Sequence, residues 1–271
     1  MQRDIDILLA HRETLFPGAF QDRPWVRVFL EQALLEQDVQ LECSARVSSA
    51  GTVRSRPSMG FVERVNIHLA RCLARLEHYG PGIDPAPVRR FFDTVDTRRA
   101  DLLIHGLELS PQAADSRIKL HVRFDTDDAI RETMLSHPQS TAAIAPLIAH
   151  AQVTIGFDLF DGGRTRLRNY LSFLEPHRQE ALFVQHFGSR VGEAMTEASN
   201  IWLAWKTDPT DPFVYFVDAD AARFVERLGL TGVDPELRRY QGMPAYIFGA
   251  QLSALKAGML SDYNLYYMLG R

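Results

Sequence analysis

Lysine is nearly missing from this chain. Of its 30 basic residues only Lys119, Lys206 and Lys256 are lysines, and the other 27 are arginines. GC-rich coding gives such a bias without functional meaning, yet it makes the place of each lysine worth following. Cysteine is equally scarce. Cys43 and Cys72 alone exclude a disulfide framework and a cysteine-rich metal site, and they suit a reducing compartment. Long apolar runs are absent too. The most apolar stretch, Thr141–Phe160, is interrupted by Pro146, His150, Gln152 and Asp158, which argues against a membrane span. Met1–Glu13 carries Asp4 and Asp6 and lacks the basic start and apolar run of a signal peptide; a cytoplasmic location is the expectation. The formal net charge of −4 gives no global pull toward nucleic acid or an anionic membrane, and neither partner is expected.

What is present is an ordinary globular composition, with 46% apolar and 24% charged residues over 271 positions, arranged with a period of roughly fifty residues. Two strand-like segments are followed by helical ones, five times over. The strand pairs are Val39–Val47 with Gly51–Ser58, Asp101–Leu109 with Arg117–Phe124, Val153–Phe160 with Arg164–Leu171, Asn200–Thr207 with Phe213–Asp218, and Pro244–Gln251 with Asp262–Leu269. Turn residues separate the members: Ser48-Ser49-Ala50-Gly51, Asp161-Gly162-Gly163 and Asp208-Pro209-Thr210-Asp211-Pro212, where glycine supplies positive φ at little cost. Helical spacing of apolar residues marks Asp22–Glu36, Met59–His78, the long stretch within Glu175–Ile201, and Ala219–Leu228.

Side chains alternate across a strand, and here the alternation separates chemistry. Arg117–Phe124 puts Ile118, Leu120, Val122 and Phe124 on one face and Arg117, Lys119, His121 and Arg123 on the other. Arg164, Arg166, Arg168 and Tyr170 share a face of the next hairpin, as do Gln40, Glu42, Ser44 and Arg46 in the first. Thr154, Gly156, Asp158 and Phe160 likewise oppose Val153, Ile155, Phe157 and Leu159. Ten such strands make either an open sheet with its polar face in bulk water or a barrel whose polar faces line a lumen, since barrels of more than about eight strands have room inside. Closure removes exposed edges. Alternation alone leaves both open.

Several segments resemble the cyanobactin peptide prenyltransferases, a branch of the ABBA (prenyltransferase-barrel) enzymes. They are Leu41-Glu42-Cys43-Ser44 followed by Arg56; Ser116–Arg123; Ile155-Gly156-Phe157-Asp158-Leu159-Phe160-Asp161-Gly162-Gly163-Arg164-Thr165-Arg166; Trp205-Lys206-Thr207; and Tyr263-Asn264-Leu265-Tyr266-Tyr267. The resemblance implies an α+β fold in one domain over residues 1–271: a ten-stranded antiparallel β-barrel surrounded by α-helices, with the active site in the lumen. It implies transfer of a dimethylallyl or geranyl group from its diphosphate to a side chain or terminus of a linear or cyclic ribosomal peptide, with Mg2+ as cofactor. Residue by residue it makes Glu42 the base, Arg56 a diphosphate ligand, the basic-x-His-x-basic strand Lys119, His121 and Arg123, and Lys206 a further diphosphate contact; Arg166 is grouped with these. A monomer or weak dimer is expected.

The chemistry asks for the same residue types. A leaving diphosphate needs charge-assisted donors, each worth ~1.5–3 kcal/mol. An allylic cation is shielded by aromatic faces at ~0.5–2 kcal/mol each, for which Tyr170, Trp202, Tyr215 and Tyr266 have the matching parity. Ala204, two residues before Lys206, leaves room for a longer prenyl chain. Asp158 either orients a basic neighbour or binds magnesium. Asp125-Thr126-Asp127-Asp128 spells the acid motif of protonation-type terpene cyclases, but after a basic strand it reads as the cap of a helix from Ala129. No G-x-x-x-x-G-K-[ST], G-x-G-x-x-G after a strand, or H-E-x-x-H is present. The competing class is a non-catalytic barrel that binds an anionic ligand or a peptide.

Overall fold

Alternation is satisfied by closure. The computed structural model describes residues 2–36, 39–80, 82–125, 131–132, 145–205 and 209–269. Lys206, with Thr207 and Asp208, and the Thr126–Ala129 part of the acidic cap lie outside them. Ten strands among the described residues form the wall: β1 Gln40–Ser48, β2 Pro57–Phe61, β3 Ala100–Glu108, β4 Arg117–Phe124, β5 Gln152–Phe160, β6 Thr165–Phe173, β7 Asn200–Trp205, β8 Phe213–Val217, β9 Ile247–Gln251 and β10 Tyr263–Met268. Each pairs antiparallel with the next, and β10 pairs with β1 from Glu42↔Met268 to Val47↔Tyr263. The sheet is therefore a closed barrel with no free edge along its wall. This is the ten-stranded antiparallel barrel that the resemblance implies.

The apolar parity faces outward, under the helices. Ile118, Leu120, Val122 and Phe124 of β4 and Val153, Ile155, Phe157 and Leu159 of β5 are buried in one core. Phe29 of helix Pro24–Leu35, Leu69 and Cys72 of Val65–Arg75 and Phe183 of Glu180–Phe187 complete that core. Burying such large side chains fully contributes ~1.5–3 kcal/mol each, which fixes register: a one-residue slip would turn the charged set outward into this layer. Among the described residues no helix is long and apolar enough to cross a membrane.

Several boundaries differ from the sequence reading. The partner strand of β1 is Pro57–Phe61, pairing from Gln40↔Gly60 to Cys43↔Pro57, while Gly51–Val53 only extends the upper end of β1 as a short ribbon. Pro57, lacking an N–H, stands at the first position of its strand. Met59 and Phe61 consequently belong to the wall, and the helix expected from Met59 starts at Val65; their apolar spacing matched both periods. The Glu175–Ile201 stretch breaks at Gly188, where φ is +83°, into Glu180–Phe187 and Ser189–Thr196. Pro244 lies in a separate two-stranded ribbon with Arg239–Tyr240, so β9 begins at Ile247. The helices Gln2–Leu15, Ala86–Phe92 and Leu252–Ala257 were not anticipated. The Asp161-Gly162-Gly163 turn forms as expected, with φ of +101° and +80° at its glycines.

Candidate active site

The lumen face carries a continuous row across the wall. Register places Glu42 beside Ser58, Ser58 beside Gly106, Gly106 beside Lys119, Lys119 beside Asp158 and Asp158 beside Arg166. These strands enclose a cavity of about 340 Å3. Two glycines give it space. A Cβ at Gly156 would lie 2.6 Å from the His121 ring and 3.1 Å from the Tyr170 ring, and one at Gly249 would lie 2.3 Å from Tyr215. Both glycines let aromatic rings lie flat on the backbone. The glycine of the Ile155-Gly156-Phe157 run thus has a steric reason.

One side of the cavity is cationic. Arg46, Arg56, Arg117, Lys119 and Arg168 line it. Three of these cations converge on one carboxylate oxygen, Glu108 Oε2: Arg117 Nη2 at 2.6 Å, Lys119 Nζ at 2.6 Å and Arg56 Nε at 3.1 Å. Arg46 Nη1 stands 3.6 Å from Oε1. Burial would raise the Glu108 carboxyl, but Lys119, Arg56 and Arg117 hold it well below the usual carboxylate range. Burial pushes the Lys119 amine well below its ordinary value, with Arg56 and Arg117 adding to the effect against the pull of Glu108. Arg56 also donates to Asn264 Oδ1 at 2.8 Å and lies over the Tyr266 ring, 5.7 Å from its centre. Asp158, fully inaccessible, accepts from Arg166 and Arg168, each at 2.6 Å, and sits 3.8 Å from Arg117. Burial holds His121 neutral, its pKa lowered to about 3.

The other side is aromatic. Tyr170, Trp202, Ala204, Phe213, Tyr215, Ile247 and Tyr266 line it. Tyr215 meets Tyr266 edge-on at 6.1 Å and Phe213 at 5.1 Å. Burial raises the phenols of Tyr170 and Tyr215, keeping them neutral. Glu42 also lines the cavity, 9% exposed. Its two oxygens accept from the Ser58 and Tyr246 hydroxyls rather than from a cation. Burial raises its carboxyl, while the two hydroxyls, Arg56 and Lys119 pull it down.

Nine of the residues named from sequence as catalytic, diphosphate-binding or shielding thus come together around one cavity: Glu42, Arg56, Lys119, His121, Tyr170, Trp202, Ala204, Tyr215 and Tyr266, with Asp158 beside them. Two do not reach its lining. Arg123 pairs with Asp101 at 2.9 Å toward the opposite end of β4, and Arg166 is held by Asp158 with its guanidinium 5.0 Å from the centre of the Phe160 ring. Sequence reasoning missed Glu108, Asn264 and Tyr246, and left Arg117, Arg168 and Ser58 without roles. Arg117 and Arg168 were legible from their parity with Lys119 and Tyr170. Glu108 and Tyr246 had no signal, since neither stands in an alternating polar run.

The donor set does not fit a magnesium ion held by the protein. Mg2+ takes oxygen ligands, commonly one or two carboxylates with substrate phosphates, but Glu108 and Asp158 are already neutralised by arginine and lysine, and Glu42 is capped by hydroxyls. Asp158 is paired with the basic neighbours Arg166 and Arg168. Among the described residues no group of three His, Cys, Asp or Glu could hold a metal.

Comparison with solved structures gives three similar chains. AnaPT from Neosartorya fischeri shares 10% identity at a TM-score of 0.52, covering 86% of this chain and 80% of that one. The 5-dimethylallyltryptophan synthase from Streptomyces coelicolor shares 13% at 0.47, with coverage of 98% and 91%. NotF prenyltransferase shares 14% at 0.46, with coverage of 98% and 87%. At such identities the likeness concerns the fold, and the AnaPT match carries it. No curated protein matches the sequence. The profile described as a family of unknown function (DUF5838) matches residues 78–269, a span from the turn before Ala86–Phe92 to the end of the barrel. The chain belongs to the DUF5838 family.

Proposed function

We propose that this barrel is a prenyltransferase that moves a dimethylallyl or geranyl group from its diphosphate to a side chain or terminus of a ribosomal peptide. The observation that carries the reading is the meeting, in the lining of one cavity, of a cationic set, an aromatic set and the buried carboxyl of Glu42. The resemblance of several segments to the cyanobactin peptide prenyltransferases supports the peptide acceptor.

In this reading the diphosphate lies against Arg56, Arg117, Lys119 and Arg168, with His121 as a neutral hydrogen-bonding neighbour and Lys206 as a further candidate. Heterolysis of the C–O bond leaves the bonding pair on the departing oxygen. The preorganised cations stabilise that charge as it develops. Tyr170, Tyr215 and Tyr266, with Trp202, face the allylic cation and keep water from it. The acceptor forms the new bond to carbon and gives up its proton, which Glu42 takes. A raised carboxyl in a dry site suits that task, because a base works best when its pKa approaches the working pH.

Glu42→Gln tests the reading. Turnover should fall ~10²–10⁴-fold while affinity for inorganic pyrophosphate stays within about threefold. Undiminished turnover would remove Glu42 from the chemistry.

A further inference from the structure

Glu108 is the hub of the cationic wall, two residues beyond Gly106 on the lumen face of β3, and the four cations around it line the cavity. An anion in the cavity would address those same cations. Two anionic groups would then share one set of donors. Arg56 and Arg117 have N–H groups left over, since a guanidinium offers five donors in a fixed fork and an ammonium three. Arg117 Nε, buried and 3.8 Å from Asp158, makes no hydrogen bond among the described residues, so the donors that count are the remaining N–H groups of the two guanidinium forks. Donors therefore remain for a second anion, but its attraction is reduced by the carboxylate behind them.

We infer that Glu108 is a resident counter-ion: it keeps the empty wall neutralised and weakens the wall's grip on diphosphate, so that the leaving group can depart after transfer. The inference rests on the reading of this cavity as a diphosphate site and adds a residue that governs release. Its chemistry is charge competition, so it separates from a purely orienting role, in which Glu108 would aim the cations and strengthen binding.

The test is calorimetric titration of the full chain and its Glu108→Gln and Glu108→Asp variants with inorganic pyrophosphate, paired with thermal melting with and without the anion. Gln keeps shape and removes charge; Asp keeps charge on a shorter stem. Glu108→Gln should bind pyrophosphate about tenfold more tightly or better, melt lower than wild type without it, and gain more than wild type from its addition. Glu108→Asp should stay within about threefold of wild type. Should Glu108→Gln be unfolded when purified, recovery of the fold on adding pyrophosphate supports the inference, and failure to recover at saturating pyrophosphate overturns it. Equal or weaker binding by a folded Glu108→Gln overturns it, as does the same gain in Glu108→Asp. If wild type itself does not bind pyrophosphate, the reading of the cavity falls, and the role of Glu108 falls with it.

Discussion

Glu42 and Glu108 stand in the wall of the same barrel, 9% and 6% exposed, and their carboxyl groups are driven in opposite directions. Glu108 is ringed by cations and ionises well below the ordinary range, while Glu42, offered only hydroxyls as direct partners, is raised. Burial alone pushes both upward. The comparison shows that the immediate partner, rather than depth, decides which buried carboxyl is held ionised and which is raised.

The largest effects should come from stability. Glu108→Gln leaves Arg56, Arg117 and Lys119 without their shared counter-charge, a loss of about 3 kcal/mol or more at pH 7. Because the folded carboxyl is depressed, its contribution is present in full above the unfolded value of ~4.3 and is lost as pH falls through the folded value. Glu42 has the opposite sign. Its raised carboxyl favours the fold when protonated, so that advantage exists below ~4.3 and disappears as pH rises through the folded value. Urea unfolding across pH should therefore show Glu108→Gln losing its deficit toward acid, and Glu42→Gln gaining on wild type toward neutral pH. Parallel curves for the two variants would break the comparison.

A smaller effect is expected at Tyr246. Its hydroxyl hydrogen-bonds the Glu42 carboxylate and so favours the ionised form. Tyr246→Phe should move the acid limb of the kcat/KM profile to higher pH, with turnover on the alkaline plateau changed only a few-fold. An unmoved limb would mean that Tyr246 does not tune Glu42. The smallest change concerns Ala204, which lies against Tyr170, Tyr215 and Ile247 in the aromatic wall. Ala204→Phe should reduce turnover with geranyl diphosphate more than with dimethylallyl diphosphate; an unchanged preference for one over the other would remove Ala204 from donor selection.

Much of the fold was legible because alternation in β4 separates charge from apolar side chains without exception over Ile118–Phe124, and β5 follows it up to Leu159. The inward turn of the polar face came from the resemblance, because alternation reads the same in an open sheet. Met59–Phe61 misled because three apolar-rich residues beside a helix fit either period. Within the site, parity put Lys119 and Tyr170 on the polar face, where the resemblance gave Lys119 its expected role, and Arg117 was within reach by the same parity. Glu108 ends the run Leu102-Leu103-Ile104-His105-Gly106-Leu107, where no polar alternation announces it, and Tyr246 comes from the chain just before β9. Their roles depend on which strand closes beside which, and that is set by tertiary packing.

Prenyl transfer at this cavity is tested most directly by mass spectrometry. Wild type and Glu42→Gln would each be incubated with dimethylallyl or geranyl diphosphate and a panel of short linear and cyclic peptides spanning Tyr, Trp, Ser, Thr, His, Arg and free termini. Wild type should give a peptide heavier by one prenyl unit with at least one acceptor, and Glu42→Gln almost none. Pyrophosphate binding by wild type with no prenylated product from any donor and acceptor would contradict prenyl transfer and leave a barrel that binds an anion without acting on it.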